Sequence, residues 1–156
     1  MFATDKYSSQ NEEQLLYTIE QVATRISMTK RTLRYYEEVG LLRPTGRTEG
    51  NYRRYSEDDV QRLERIKELR DLLGFSLTDI KELMDAEEER GQIKVAYQQE
   101  TEVSAKIAQL DRADELIQGQ IVLIDEKITA LKQMQTALRI KLERHELKRM
   151  TLRNKE

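Results

Sequence analysis

Thr29-Lys30-Arg31-Thr32-Leu33-Arg34-Tyr35-Tyr36-Glu37-Glu38-Val39-Gly40 is the stretch whose reading decides the fold. The Thr29 hydroxyl can accept from an unpaired amide of a first helical turn, and Gly40 can close the helix in a left-handed conformation. Leu33, Tyr36 and Val39 fall along one side and face a core. Arg31, Arg34, Tyr35 and Glu38 share another side at helical spacing. That exposed side is basic toward its N-terminus and acidic toward its C-terminus, so charge and helix dipole both favour an anion at the first turn. A helix that enters DNA by its N-terminal end needs that arrangement.

Just before it, Thr18 and Gln21 form a capping-box pattern ahead of an apolar stripe of Ile19, Val22, Ala23 and Ile26. Ser27-Met28 is a short turn, and two helices joined so tightly make a helix-turn-helix candidate. Beyond Leu41, periodicity breaks at Pro44, Gly46, Gly50 and Asn51, and Tyr52-Arg53-Arg54-Tyr55 alternates as a strand would. The expectation is a β-hairpin wing, in which Tyr52 and Tyr55 cannot share a face. Ser56-Glu57-Asp58-Asp59 caps a further helix, with an apolar stripe from Val60 to Leu72 and Leu73, stopped by Gly74. Ser76-Leu77-Thr78-Asp79 repeats the cap signature, and Asp85 to Gly91 is acidic enough to fray or bend.

From about Glu100 a heptad repeat emerges. Ile107, Asp114, Ile121, Ile128, Gln135 and Leu142 occupy one seam position; Leu110, Ile117, Ile124, Leu131, Leu138 and His145 occupy the other. Nine of these twelve are Leu or Ile, which predicts a coiled coil. A rod with a seam and no core of its own must pair. Leu110, Ile117, Ile121, Ile124, Ile128, Leu131, Leu138 and Leu142 are the dimerisation residues, and Asp114 and Gln135 are polar interruptions able to fix register.

Composition narrows the class. Residues 17–56 hold eight basic residues against four acidic ones, a local charge of +4 in a chain of net charge −2. A basic patch on an acidic protein fits a local polyanion site. With no cysteine, disulfides, thiolate metal sites and thiol redox switches are excluded, and His145 alone makes no zinc site. No apolar run reaches membrane-spanning length and no signal-peptide pattern opens the chain, so a cytoplasmic protein is expected. No nucleophile–base pair or phosphate-cradling glycine loop suggests an enzyme, and no cofactor is expected.

Taken together, Tyr17–Ala23, Thr29–Leu42, Arg47–Ser56 and Leu72–Ile80 resemble, in order, the first helix, recognition helix, wing and second helical pair of the MerR family of bacterial transcriptional regulators. The resemblance runs from Tyr17 to about Asp85. It implies a mainly α fold: a winged helix-turn-helix head with a small β-hairpin wing, then a long antiparallel dimeric coiled-coil helix. The expected divisions are a disordered arm over 1–16, the DNA-binding head over 17–90, the dimerisation helix over 91–146 and a tail over 147–156. It also implies a homodimer on pseudo-palindromic double-stranded promoter DNA, bending and untwisting it between promoter elements for RNA polymerase. The DNA-binding residues implied are Thr18, Thr29, Lys30, Arg31, Arg34, Tyr35, Asn51, Tyr52, Arg53 and Arg54. With only about ten residues expected after the coil, the effector is not indicated: either a small organic molecule binds between coil and head, near Phe75, Met84, Tyr97 and Val103, or there is none. The rival reading is a coiled-coil adaptor whose head docks proteins.

Overall fold

A computed structural model describes residues 16–44, 46–48, 50 and 52–156. The chain divides into two compact units, one ending at Lys81 and the other running Glu82–Glu156.

The first unit begins with α1 (Ile19–Ile26) and α2 (Lys30–Glu38), each started as its sequence predicts. At α1 the Thr18 amide donates to Gln21 Oε1 at 2.8 Å, and the Gln21 amide donates to Thr18 Oγ1 at 3.2 Å, a complete capping box. At α2 the Thr32 amide donates to Thr29 Oγ1 at 3.1 Å. The link between the helices is tight because Ser27 takes a left-handed conformation, φ 56°. Gly40 does the same after α2 with φ 77°. There the Leu41 amide donates to the Tyr36 carbonyl at 2.9 Å and the Gly40 amide to the Glu37 carbonyl at 3.2 Å, a Schellman closure.

The hairpin pairs β1 (Gly46–Arg47) antiparallel with β2 (Arg53–Arg54), Gly46 opposite Arg54 and Arg47 opposite Arg53. Tyr55 then leaves the hairpin and bridges back to Tyr17 through two backbone hydrogen bonds of 2.7 and 2.9 Å. The start of the fold is thereby laced to the end of the wing. Of the two candidate tyrosines, Tyr55 is fully buried while Tyr52 is 71% exposed. α3 (Glu57–Lys67) follows, capped by Ser56 and Asp59, and buries Val60, Leu63 and Ile66, as α1 buries Val22 and α2 buries Leu33 and Tyr36. Glu57 pins α3 to α1: Arg25 donates to both of its oxygens, at 2.6 and 2.8 Å, and the Tyr17 hydroxyl donates at 3.1 Å. Arg25 holds the Glu57 carboxyl below its ordinary value.

The expected apolar stripe from Val60 to Leu73 is broken near its end. Residues Glu68–Leu72 form a π-helical turn, whose wider winding rotates later side chains out of register. Leu72 and Leu73 are exposed at 76% and 45%, and Phe75 takes the core position after Gly74.

α4 (Leu77–Gln99) starts in the first unit and continues through the second. The bend or fray expected over 85–91 is absent from it. Asp85, Glu87 and Glu88 each have an interaction, and Glu89 accepts both arms of Arg112 at 2.8 and 3.0 Å, so the acidic run is compensated. Arg112 holds the Glu89 carboxyl low. After a turn at 100–102, α5 (Val103–Arg153) runs 51 residues, roughly 76 Å at about 1.5 Å per residue. The helix therefore continues beyond 146, where the repeat weakens.

α4 and α5 form an antiparallel hairpin. Lys106 sits over the Tyr97 ring at 4.6 Å, Arg112 meets Glu89, and Gln120 Nε2 donates to the Leu83 carbonyl at 3.4 Å. No described residue of α5 is buried. Among the described residues, no helix is long and apolar enough to cross a membrane.

Gly40→Ala forces a side chain into left-handed backbone and brings its Cβ to 3.3 Å from Lys81 Cε. The variant is expected to fold with a loss of about 1–2 kcal/mol, read as a lower urea midpoint at unchanged slope.

Candidate nucleic-acid interface

The Glu37 carboxylate joins α2 to the hairpin. Its Oε1 accepts from the Tyr55 hydroxyl and its Oε2 from Arg53 Nε. The Glu37 side chain is 10% exposed, so this junction is largely sheltered from water. Burial first, and the bond to Glu37 second, pushes the Tyr55 hydroxyl well above its ordinary value. At the far side of α2, Arg70 Nη1 donates to the Tyr36 hydroxyl and Arg70 Nε to Asp71 at 2.7 Å. Tyr36 is buried and Tyr35 is 47% exposed, as their helix positions require.

Against this framework the cationic side chains separate into two groups. Arg31 and Arg34 are exposed on α2, and neither makes a hydrogen bond or ion pair among the described residues. Lys30 donates to Glu20 at 3.1 Å across the helix pair, an exposed contact that a phosphate can replace cheaply. Arg53 is held by Glu37 and is a structural tie as much as a surface cation. Arg54 lays Nη1 on the Arg53 carbonyl at 3.1 Å.

A cleft of about 150 Å³ brings Arg34, Tyr52, Arg53 and Arg54 together with Ile19 and Glu20 at the start of α1. A larger groove of about 790 Å³ runs along α2, lined by Arg31, Arg34, Tyr35, Arg70 and Leu77 among others. Thr18 and Thr29 stand at the two helix starts with their hydroxyls committed to capping. Asn51 and the arm over residues 1–15 lie outside the described residues. Of the residues near the expected effector site, Phe75 and Met84 are buried, Tyr97 lies beneath Lys106, and Val103 is 70% exposed.

Three anchoring residues carried no sequence signal of their own: Glu37, Arg70 and Arg25. Each acts across elements, and spacing along one helix does not reveal a partner 16, 34 or 32 residues away.

The profile of the MerR HTH family of regulatory proteins matches residues 17–87. The chain is 37% identical over 120 residues to the HTH-type transcriptional regulator YfmP of Bacillus subtilis (strain 168), covering 77% of this chain and 86% of that protein. The chain belongs to the MerR family. It is also 38% identical over 112 residues to the HTH-type transcriptional regulator ZntR of Escherichia coli (strain K12), covering 66% of this chain and 77% of that one. For the fold, a Listeria monocytogenes structure assigned to MerR family transcriptional regulators matches with TM-score 0.52 at 20% identity, over 83% of this chain and 86% of the other. As a MerR-family protein the chain is a DNA-binding transcriptional regulator and not an enzyme. The winged helix-turn-helix reading of the head stands with it.

The geometry separates the two wing arginines. Arg54→Ala is expected to weaken binding to all DNA sequences alike and to flatten the logarithmic salt dependence by about one unit. Arg53→Ala is expected to appear first as lost stability, about 1–3 kcal/mol by denaturation, because Glu37 loses a charged donor. Equal salt slopes for both variants would place Arg53 at the phosphates too.

Proposed function

We propose that this regulator acts in the cytoplasm as a homodimer on pseudo-palindromic promoter DNA. The observation that carries the reading is the pair Arg31 and Arg34, exposed and unpartnered among the described residues, on a helix flanked by the start of α1 and by the wing.

Arg31 and Lys30 enter the major groove with Thr29 and read base edges, where an arginine can donate twice to a guanine. Arg34 sits in or beside the groove with them, and Tyr35 contacts phosphate. The amide end of α1 at Thr18 and the wing residues Asn51, Tyr52, Arg53 and Arg54 clamp phosphates on either side. Two such heads, joined through α5, hold the duplex at both ends. Bending and untwisting between those clamps realign the promoter elements for RNA polymerase, and the specificity so gained is readout of shape. A small organic effector shifts the balance between the DNA conformations the dimer holds.

Support for the dimer comes from the seam residues of α5. Ile117, Ile124 and Leu142 are 39%, 42% and 65% exposed in the single chain, so the repeat has no apolar partner of its own. The head over 17–90 and the coil over 91–146 then form the working divisions.

Selection from a random duplex library at two salt concentrations tests the reading. An inverted repeat is expected, with affinity falling steeply as salt rises. Enrichment of no sequence, with no salt-sensitive binding, would favour the protein-docking alternative. Arg31→Ala is expected to relax base preference at one position at a cost of about 1–3 kcal/mol. Ile124→Asp is expected to convert a dimer to a monomer by light scattering, since it buries an unpaired charge in the seam.

A further inference from the structure

Three features stand outside the DNA interface. The exposed Leu72 and Leu73 show nothing that covers them, and the Tyr97–Lys106 contact is complete within its hairpin. The third is the pair of titratable residues, Asp114 and His145, at heptad positions of α5.

Asp114 and His145 both fall on the seam, at its two different heptad positions. Both are exposed, and neither has a partner within the chain among the described residues. They lie 31 residues apart on one uninterrupted helix, about 46 Å at about 1.5 Å per residue, so they cannot meet within one molecule. In an antiparallel pair the first seam position of one helix packs against the second seam position of the other. Only certain registers are then allowed, differing by whole heptads. One of them sets Asp114 against His145.

We propose that Asp114 of one protomer is paired with His145 of the second copy, twice in the dimer, and that this pair fixes the register of the coil. The proposal rests on the homodimer reading above. In this register the two-fold axis lies level with the middle of the Ile128–Leu131 span. Ile107 meets Leu152, Ile117 meets Leu142 and Ile121 meets Leu138, while Ile124 faces Gln135 and Leu110 faces Arg149. Slipping by one heptad sets Asp114 against Leu138 and His145 against Ile107; slipping by two sets Asp114 against Leu131. Each leaves a carboxylate desolvated with no donor, which is costly. A parallel pair would set Asp114 against itself. The imidazole, neutral or protonated, has an N–H to give the carboxylate.

The flanking charges favour the same direction. One flank of the seam is occupied within the chain, since Lys106 and Gln120 on that side face Tyr97 and Leu83 of α4. The open flank carries Asp111 and Asp125 in the first half of α5, and Lys132, Arg139 and Arg153 in the second. Antiparallel pairing sets the acidic half against the basic half, Asp125 reaching Lys132 or Arg139 and Asp111 reaching Arg153. Glu146 alone on that flank runs against the pattern.

The chain has no cysteine, so introduced thiols report without background. The full chain carrying Asp114→Cys with His145→Cys is expected to form a covalent dimer in a glutathione redox buffer, because a disulfide needs Cα atoms within about 7 Å. Asp114→Cys with Leu138→Cys, and Asp114→Cys with Leu131→Cys, are expected to stay unlinked. Linking through position 138 or 131, or through none while light scattering still shows a dimer, overturns the register and leaves the dimer standing. A monomer by light scattering in the unaltered chain overturns the dimer reading itself. A charge swap gives a second readout. Asp114→His and His145→Asp alone should each weaken dimerisation about tenfold on dilution, about 1.4 kcal/mol. The double swap should restore it; failure to restore it in a folded helical protein overturns the pair.

Discussion

The sheltered carboxylate of Glu37 is the interaction on which the head depends. It accepts from the Tyr55 hydroxyl and from Arg53, so one acidic side chain on the recognition helix fixes both the base of the wing and the turn into α3. Tyr55 is at once the residue that follows the hairpin, the backbone partner of Tyr17 and a fully buried core side chain. Removing water from that junction makes its hydrogen bonds matter more, because any group left unpaired there loses solvation with nothing in return. The spacing between α2 and the hairpin is set there.

A second constraint governs α5. A 51-residue helix with no buried residue stabilises little on its own, and its apolar stripe stays in water until another surface covers it. The hairpin with α4 partners one side of its first half only. The intrachain contacts and the heptad stripe occupy adjacent faces, so the helix can hold α4 and a second copy at the same time. The two units thus differ: one buries a small mixed core around tyrosines, the other leaves the apolar stripe of α5 exposed.

Much of the head was legible because its signals are local. Thr18 with Gln21, Thr29 and Gly40 act within one turn of their own helices, and the structure finds each doing what its type and position require. The split between Tyr35 and Tyr36 follows from helical geometry alone, and exposure agrees. The misreadings have a common cause. Leu72 and Leu73 fit an apolar stripe only if the helix keeps ordinary winding, and the π-turn over Glu68–Leu72 changes it. The acidic run at 85–91 looked unstable because its compensating charge, Arg112, is supplied by another helix.

The amino-acid sequence by itself determined where helices start and stop, which residues form the basic face of α2 and which positions of α5 form a heptad-spaced apolar stripe. These depend on residue type and on spacing within a turn or a heptad. The tertiary structure decided which cations stand free and which are tied down. Arg31 and Arg34 have no intrachain partner among the described residues, whereas Arg53, one residue from Arg54, is held by Glu37. Adjacent arginines look alike in one dimension. Their roles diverge only when folding brings a carboxylate from another element to one of them.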